Sequence, residues 1–276
     1  MNNRLQRLLA EKHQLIMGIV NVTPDSFSDG GCYATISQAK THISQLIAEG
    51  ADVLDIGGES TRPGSKPVSV NEELDRVMPV IEYAINQNAL VSVDTTKPEV
   101  MQASIQAGIS LVNDINALQT PGALEVVAAS EVMVCLMHKQ GQPDTMQDAP
   151  EYSDVINEVG AFLRQRAAAA ALAGITATRI IIDPGFGFGK TLKHNLILLR
   201  QLDQFLSMNF PVLVGISRKS MLGAITGNAV DNRKYASIAA ALIAADKGAR
   251  ILRVHDVKAT RDALAVLEAV NSVGAM

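Results

Sequence analysis

A chain of 276 residues, 47% of them hydrophobic, has ample material for a sizeable core in one large domain or two small ones. Its formal net charge of -4 gives no global basic field, which argues against nucleic acid or an acidic membrane surface as partner while still allowing a local site for a small anion. No apolar run is long enough to span a bilayer, and Glu11 and Lys12 fall where a secretory signal needs its apolar stretch, so a soluble, cytoplasmic protein is expected.

Residues 1–13 read as a short N-terminal extension. Beyond them, short apolar runs alternate with segments of helical period. "LIMGIV" leads into the polar loop "NVTPDSFSDGG", Asn21 to Gly31, and then the helical "TISQAKTHISQLIAEG". "DVLDIG" is followed by "VNEELDRVMPVIEYAINQ", after which come the runs "LVSVD", "SLVNDI" and "VMVCLMH". The helical "VINEVGAFLRQRAAAAALAG" precedes "RIIID" and "PVLVGIS", and "YASIAAALIAADKG" precedes the last run, "RILRVHD". Several helical segments close on the glycine expected just past a helix end. The runs are apolar throughout rather than alternating, which indicates strands buried on both faces, as in an all-parallel sheet. Eight such units with no linker or change of composition indicate a single-domain (β/α)8 TIM barrel, with an open doubly wound sheet as the alternative. The alanine-rich "RQRAAAAALAG" fits a helix packed tightly on a barrel rather than a membrane segment. Cys32, in the polar loop, and Cys135, in an apolar run, suit reduced thiols better than a disulfide framework.

Barrel chemistry sits at the C-terminal ends of the strands. The apolar runs stop there at Asn21, Glu59 to Arg62, Asp94, Asn113, His138, Asp183, Ser217 to Ser220, and Arg253 with His255, all of them marked by polar or charged side chains. Any one of these could cap a helix or hold a turn. A ring of them around one mouth points to a site. Asp55 lies inside a strand, so it is expected in a buried polar network rather than in that ring. "DPGFGFGKT" invites a phosphate-loop reading that fails on register, since Pro184 stands where that motif needs its first glycine. Its glycines are expected to let a flat ligand approach the backbone near Asp183. The five histidines are scattered and neither cysteine pairs with one, so no protein-bound zinc is expected.

"NVTPDSFSDGG", "ESTRPG", "VSVDTTKPEV", "LVNDI", "IIDPGFGFGKTLKHN", "ISRKSMLG" and "RVHDV", in this order at successive strand ends, closely resemble the dihydropteroate synthase family of bacterial folate biosynthesis. The likeness runs from about Leu15 to the final helix. It departs from the family at Lys139, where a methionine is common. The resemblance implies condensation of (7,8-dihydropterin-6-yl)methyl diphosphate with 4-aminobenzoate, giving 7,8-dihydropteroate and diphosphate. Asp183, Asp94 and Asn113 would read the donor-rich pterin edge, Lys219 its carbonyl and N5 side, and Arg253 would stack on the ring and still donate to phosphate. Asn21, Arg253 and His255 would surround the diphosphate, with Mg²⁺ shared between it and Asn21. Thr61, Arg62 and Pro63, with Phe188, Lys219 and Ser220, resemble the clamp for 4-aminobenzoate. Of these, Lys219, Arg253 and Asp94 would be catalytic. The expected step is dissociative and SN1-like, followed by attack of the weakly basic amine, and Phe27 is explained as a lid residue closing over that amine. The resemblance also suggests a homodimer through the last two helices. Two other readings share the pterin pocket. A corrinoid-linked methyltetrahydrofolate methyltransferase domain would not need "SRKS" or "RVHD", and a non-catalytic pterin-binding protein would be expected to lose the anion-binding residues or the lid.

Overall fold

In a computed structural model the chain is described over residues 4–23, 31–60, 67–141, 146 and 150–273, with the side chains of 31–35 left aside. The expected strands are all present: β1 Leu15–Asn21, β2 Val53–Gly57, β3 Val91–Asp94, β4 Leu111–Asp114, β5 Met133–Met137, β6 Ile180–Asp183, β7 Leu213–Val214 and β8 Ile251–Val254. Between and around them run α1 Arg4–Glu11, α2 Gly31–Ala48, α3 Val70–Asn86, α4 Pro98–Ala107, α5 Ala123–Ala128, α6 Val155–Leu172, α7 Leu192–Arg200, α8 Ser220–Thr226, α9 Lys234–Asp246 and α10 Val257–Ser272. The strands form one sheet in the order β6-β5-β4-β3-β2-β1-β8-β7, every pairing parallel. A parallel bridge between Ile182 and Val212 brings its two edges together, so the sheet is a closed barrel and not an open doubly wound sheet.

Side-chain alternation along each strand divides the core in two. Ile16, Val20, Leu54, Ile56, Val112, Val134, Ile182 and Leu252 face outward and pack under the helices. Leu15, Met17, Val53, Leu111, Met133, Cys135, Ile181 and Ile251 point inward and fill the N-terminal half of the barrel. The residues set aside as an extension complete this inner core. Leu5 and Leu9, four apart on one face of α1, are buried against it, and Arg250 ties the helix down by donating to the carbonyls of Leu9, Lys12 (2.8 Å) and His13 (2.7 Å). The floor of the barrel is thereby plugged.

The helices start where short polar side chains can take up their free amide groups. Ser69 accepts from Glu72 N at 3.2 Å ahead of α3, Asp154 accepts from Ile156 N and Asn157 N ahead of α6, and Thr191 and His194 form a reciprocal capping box on α7. In α6 and α9 the small side chains Ala167, Ala170, Ala240, Ala241, Ala244 and Ala245 are buried, so the alanine-rich segments do pack closely onto the barrel. Helix α2 begins at Gly31, four residues before the expected stretch, and places Cys32 in its first turn rather than in a loop. Among the described residues no helix is long and apolar enough to cross a membrane.

Candidate active site

The same alternation that fills the barrel floor with apolar side chains continues upward into polar ones. Two residues beyond Val53 on the inner face is Asp55; beyond Leu111 is Asn113, beyond Ile181 is Asp183 and beyond Ile251 is Arg253. Asp94 and Asn21 share this inner parity through the pairings Asn21 with Gly57, Gly57 with Asp94, and Asp94 with Asn113. Five of the predicted residues thus converge above one apolar plug, as barrel topology requires.

At the centre lies Arg253. Its Nε donates to Asp55 Oδ2 at 2.5 Å and its Nη2 donates to Asp94 Oδ2 at 2.7 Å. Asn113 Nδ2 donates to the same Asp55 oxygen at 3.1 Å. Asp55 is fully buried, and its Oδ1 finds no hydrogen bond among the described residues. The buried polar network expected around Asp55 is present, and it links two residues predicted to read the ligand. On the opposite wall Asp183, buried, accepts from Gly185 N through Oδ1 at 2.7 Å, which fixes the direction of the carboxylate. Lys219, the residue preceding α8, donates to the carbonyl of Phe186, and its ammonium lies 4.6 Å from the centre of the Phe188 ring.

The electrostatics follow from burial. Burial drives the Asp94 carboxyl up to about 7, although Arg253 opposes it, because Asp55 adds to the rise. Asp183 is raised by burial too, with Lys219 and the Gly185 amide opposing. Burial brings Lys219 down to about 8 against the attraction of Asp183. Arg253 moves upward, since Asp55 and Asp94 outweigh its loss of solvent. Three carboxylates, Asp55, Asp94 and Asp183, are set against two cations, Arg253 and Lys219. Fully ionised, these five groups have one negative charge in excess, with the Lys190 cation acting on Asp183 from beside them.

Other predicted residues lie around the rim. Asn21 ends β1, half-buried. His255 follows β8 on the same inward parity as Arg253; its Nδ1 and Ser217 Oγ are hydrogen-bonded at 2.9 Å, and its N–H donates to that oxygen at 3.2 Å, which joins the ends of β7 and β8. Ser220 is exposed at the first position of α8. Phe27, Thr61, Arg62 and Pro63 lie outside the described residues. Two strand-end residues turn away from the ring instead: Glu59 accepts from Lys97, which also donates to the buried Glu73, and His138 Nδ1 meets Lys190 Nζ at 3.0 Å. Lys139, next to His138, is half-buried and lowered by burial, with Asp114 opposing. Two of the glycines of "DPGFGFGKT" are required by the protein's own packing. With φ of +71° and +63°, Gly185 and Gly189 lie so near the backbone of His138 and Gln140 that an added Cβ would fall 1.8 Å and 2.3 Å from those carbonyl oxygens.

Comparison with known proteins agrees with this geometry. The model of the family described as "Pterin binding enzyme" matches residues 17–255. The dihydropteroate synthase of Escherichia coli K12 is 51% identical over 262 residues, covering 94% of this chain and 93% of its own. A solved structure of Xanthomonas albilineans dihydropteroate synthase with 4-aminobenzoic acid is similar at 52% identity with a TM-score of 0.89, covering 94% of this chain and 93% of that one. Another from the same organism, in complex with 7,8-dihydropteroate, is 50% identical with a TM-score of 0.86 and covers 94% of each chain. A barrel whose polar mouth carries this ring of residues, matched over nearly its whole length at half identity, belongs to the pterin-binding enzyme family, among its dihydropteroate synthases.

Proposed function

We propose that the chain condenses (7,8-dihydropterin-6-yl)methyl diphosphate with 4-aminobenzoate to give 7,8-dihydropteroate and diphosphate. The observation that carries this reading is the excess carboxylate charge at the base of the mouth, formed by Asp55, Asp94 and Asp183 around Arg253 and Lys219. Asp183 accepts the pterin N3–H and 2-amino group, a bidentate match for a fixed carboxylate. Asn113 and Asp94 take the remaining edge, with Asp94 near N8–H, and Lys219 donates to the carbonyl and N5 side. The methylene C–O bond breaks with its electron pair leaving on diphosphate, and the positive charge spreads over the dihydropterin above the carboxylates. The aniline nitrogen then forms the new C–N bond and releases a proton. No strong general base is required for so weakly basic an amine.

Asn21, Arg253 and His255 hold the diphosphate in this reading. The Nε–H and one N–H of Nη2 of Arg253 are engaged by carboxylates, so Nη1 and the second N–H of Nη2 are the donors assigned to phosphate. Among the described residues no group of three or more His, Cys, Asp or Glu side chains is placed to hold a metal ion. That suits Mg²⁺, which takes one or two protein oxygens and completes its shell with substrate phosphate and water, and the Asn21 amide oxygen is the donor we assign to it. Bound there, the ion would neutralise charge on the departing diphosphate. Thr61, Arg62, Pro63, Phe188 and Ser220 clamp the aromatic acid, with Phe27 closing over it.

A homodimer is part of the same proposal. It rests on Tyr235 and Ile243 of α9 and Val266 and Val270 of α10, large apolar side chains left in solvent on two neighbouring helices. The decisive assay supplies dihydropterin diphosphate, 4-aminobenzoate and Mg²⁺ and follows both products. One dihydropteroate should form per diphosphate released. A protein that binds pterin without forming dihydropteroate, or that transfers a methyl group from methyltetrahydrofolate instead, would overturn the reading.

A further inference from the structure

Lys190 is the least accessible lysine near the site, 3% exposed, and among the described residues no carboxylate accepts from it. Its Nζ lies 2.8 Å from the carbonyl of Gly185, 3.0 Å from that of Phe188 and 3.0 Å from His138 Nδ1. An ammonium has three N–H groups and no lone pair, so these acceptors satisfy it completely and His138 Nδ1 accepts. Burial brings Lys190 down to about 7 with Asp183 opposing, while burial and then Lys190 take His138 down to about 3. The imidazole is therefore neutral, as an acceptor must be. It is also fixed as a body, packed edge-on against Phe162 with ring centres 5.0 Å apart.

A buried ammonium among neutral acceptors is costly, so its partners indicate what it does for the fold. They belong to two strand ends: His138 follows β5, and Gly185 to Phe188 form the turn that follows β6. That turn is the wall of the site. Its Gly185 amide orients Asp183, its Phe186 carbonyl accepts from Lys219, and its Phe188 ring lies against the Lys219 ammonium. Asn195 holds the outer side of the turn, accepting from Gly187 N at 2.8 Å and donating to the carbonyl of Lys190 at 3.1 Å. At 3% exposure Lys190 presents almost no surface to a ligand.

We propose that Lys190 is a positioning residue for the 4-aminobenzoate half of the site: by drawing the Gly185 and Phe188 carbonyls and the His138 ring onto one ammonium, it sets the Phe188 ring and the carbonyl that aims Lys219. This rests on the functional reading above for the identity of the aromatic substrate. Three measurements on the purified full chain test it: steady-state kinetics with both substrates, calorimetry with a pterin ligand, and a double-mutant cycle. Lys190→Met removes all three hydrogen bonds, and Lys190→Gln keeps a donor if the methionine variant does not fold. The expected result is a KM for 4-aminobenzoate raised tenfold or more, with a clearly smaller loss of pterin affinity. Paired with Phe188→Ala, the effect on that KM should be strongly non-additive. A folded variant with unchanged KM for 4-aminobenzoate, equal losses for both substrates, or additivity with Phe188→Ala would overturn the proposal. A wild-type protein that forms no dihydropteroate would instead overturn the reading on which it rests, so the two failures are told apart by the unmutated enzyme.

Discussion

Replacing Asp55 by asparagine removes the surplus negative charge while keeping the shape of the side chain. Its amide oxygen can still accept from Arg253 Nε and Asn113 Nδ2, and its amide nitrogen would take the place of Oδ1, which has no partner among the described residues. Folding then loses only the difference between charge-assisted and neutral hydrogen bonds, about 1–2 kcal/mol. Asp55→Ala strands a buried guanidinium nitrogen and a buried amide, and should cost about 3–5 kcal/mol in a urea titration. The chemical step is affected differently. If a unit charge is set at roughly 8 Å from the developing cation with an effective dielectric of about 20, it contributes about 2 kcal/mol, so Asp55→Asn should slow the step roughly 30-fold. The assay is single-turnover formation of 7,8-dihydropteroate at saturating substrates. A second signature has a fixed sign: Asp55 pushes the Asp94 carboxyl upward, so the acid limb of the kcat/KM profile should move below its wild-type position near pH 7. A folded Asp55→Asn enzyme with a rate within twofold of wild type and an unmoved acid limb would refute the charge argument.

For the wild-type enzyme, kcat/KM should be bell-shaped. It should rise as Asp94 ionises near pH 7, because only the carboxylate stabilises the cation, and fall as Lys219 loses its proton near pH 8; a rate independent of pH from 6 to 9 would exclude both groups. Asp183→Asn turns an acceptor into a donor facing a donor and should weaken a pterin ligand by about 2–3 kcal/mol in calorimetry, with unchanged affinity removing Asp183 from the pocket. Arg253→Ala should depress the single-turnover rate as well as pterin binding, whereas His255→Ala should act mainly through diphosphate affinity, read from product inhibition. If the lid closes only around bound diphosphate, 4-aminobenzoate should bind measurably only with diphosphate and Mg²⁺ present, and Phe27→Ala should weaken it more than it weakens pterin; equal affinity without diphosphate would dismiss the lid.

The barrel was legible because eight apolar runs buried on both faces leave few other architectures, and the ring at its mouth because each run ends on a polar residue. What escaped was set by position rather than by composition. Asp55 shares inner parity with Val53, so counting by twos from the apolar floor would have placed it beneath Asp94; a search confined to strand ends passes over it. Helix α1 is too short to stand out as a periodic segment, and Leu5 and Leu9 gain their meaning only once the barrel floor exists to receive them. The glycines after Asp183 signal a crowded backbone, but the sequence does not say with what. Their neighbours, His138 and Gln140, lie about fifty residues upstream and meet them only because β5 and β6 are adjacent.

Barrel closure is not uniform around the circumference. Strand β7 has only two residues, and its approach meets β6 through the Ile182–Val212 bridge, with Ile182 N donating to the carbonyl of Pro211 at 3.0 Å. Asp183 ends the strand on one side of this seam, and Lys219 follows the strand on the other. A ligand gripped by both residues is a rivet through the weakest joint of the wall. Part of its binding energy would then appear as tightening of the barrel at that seam.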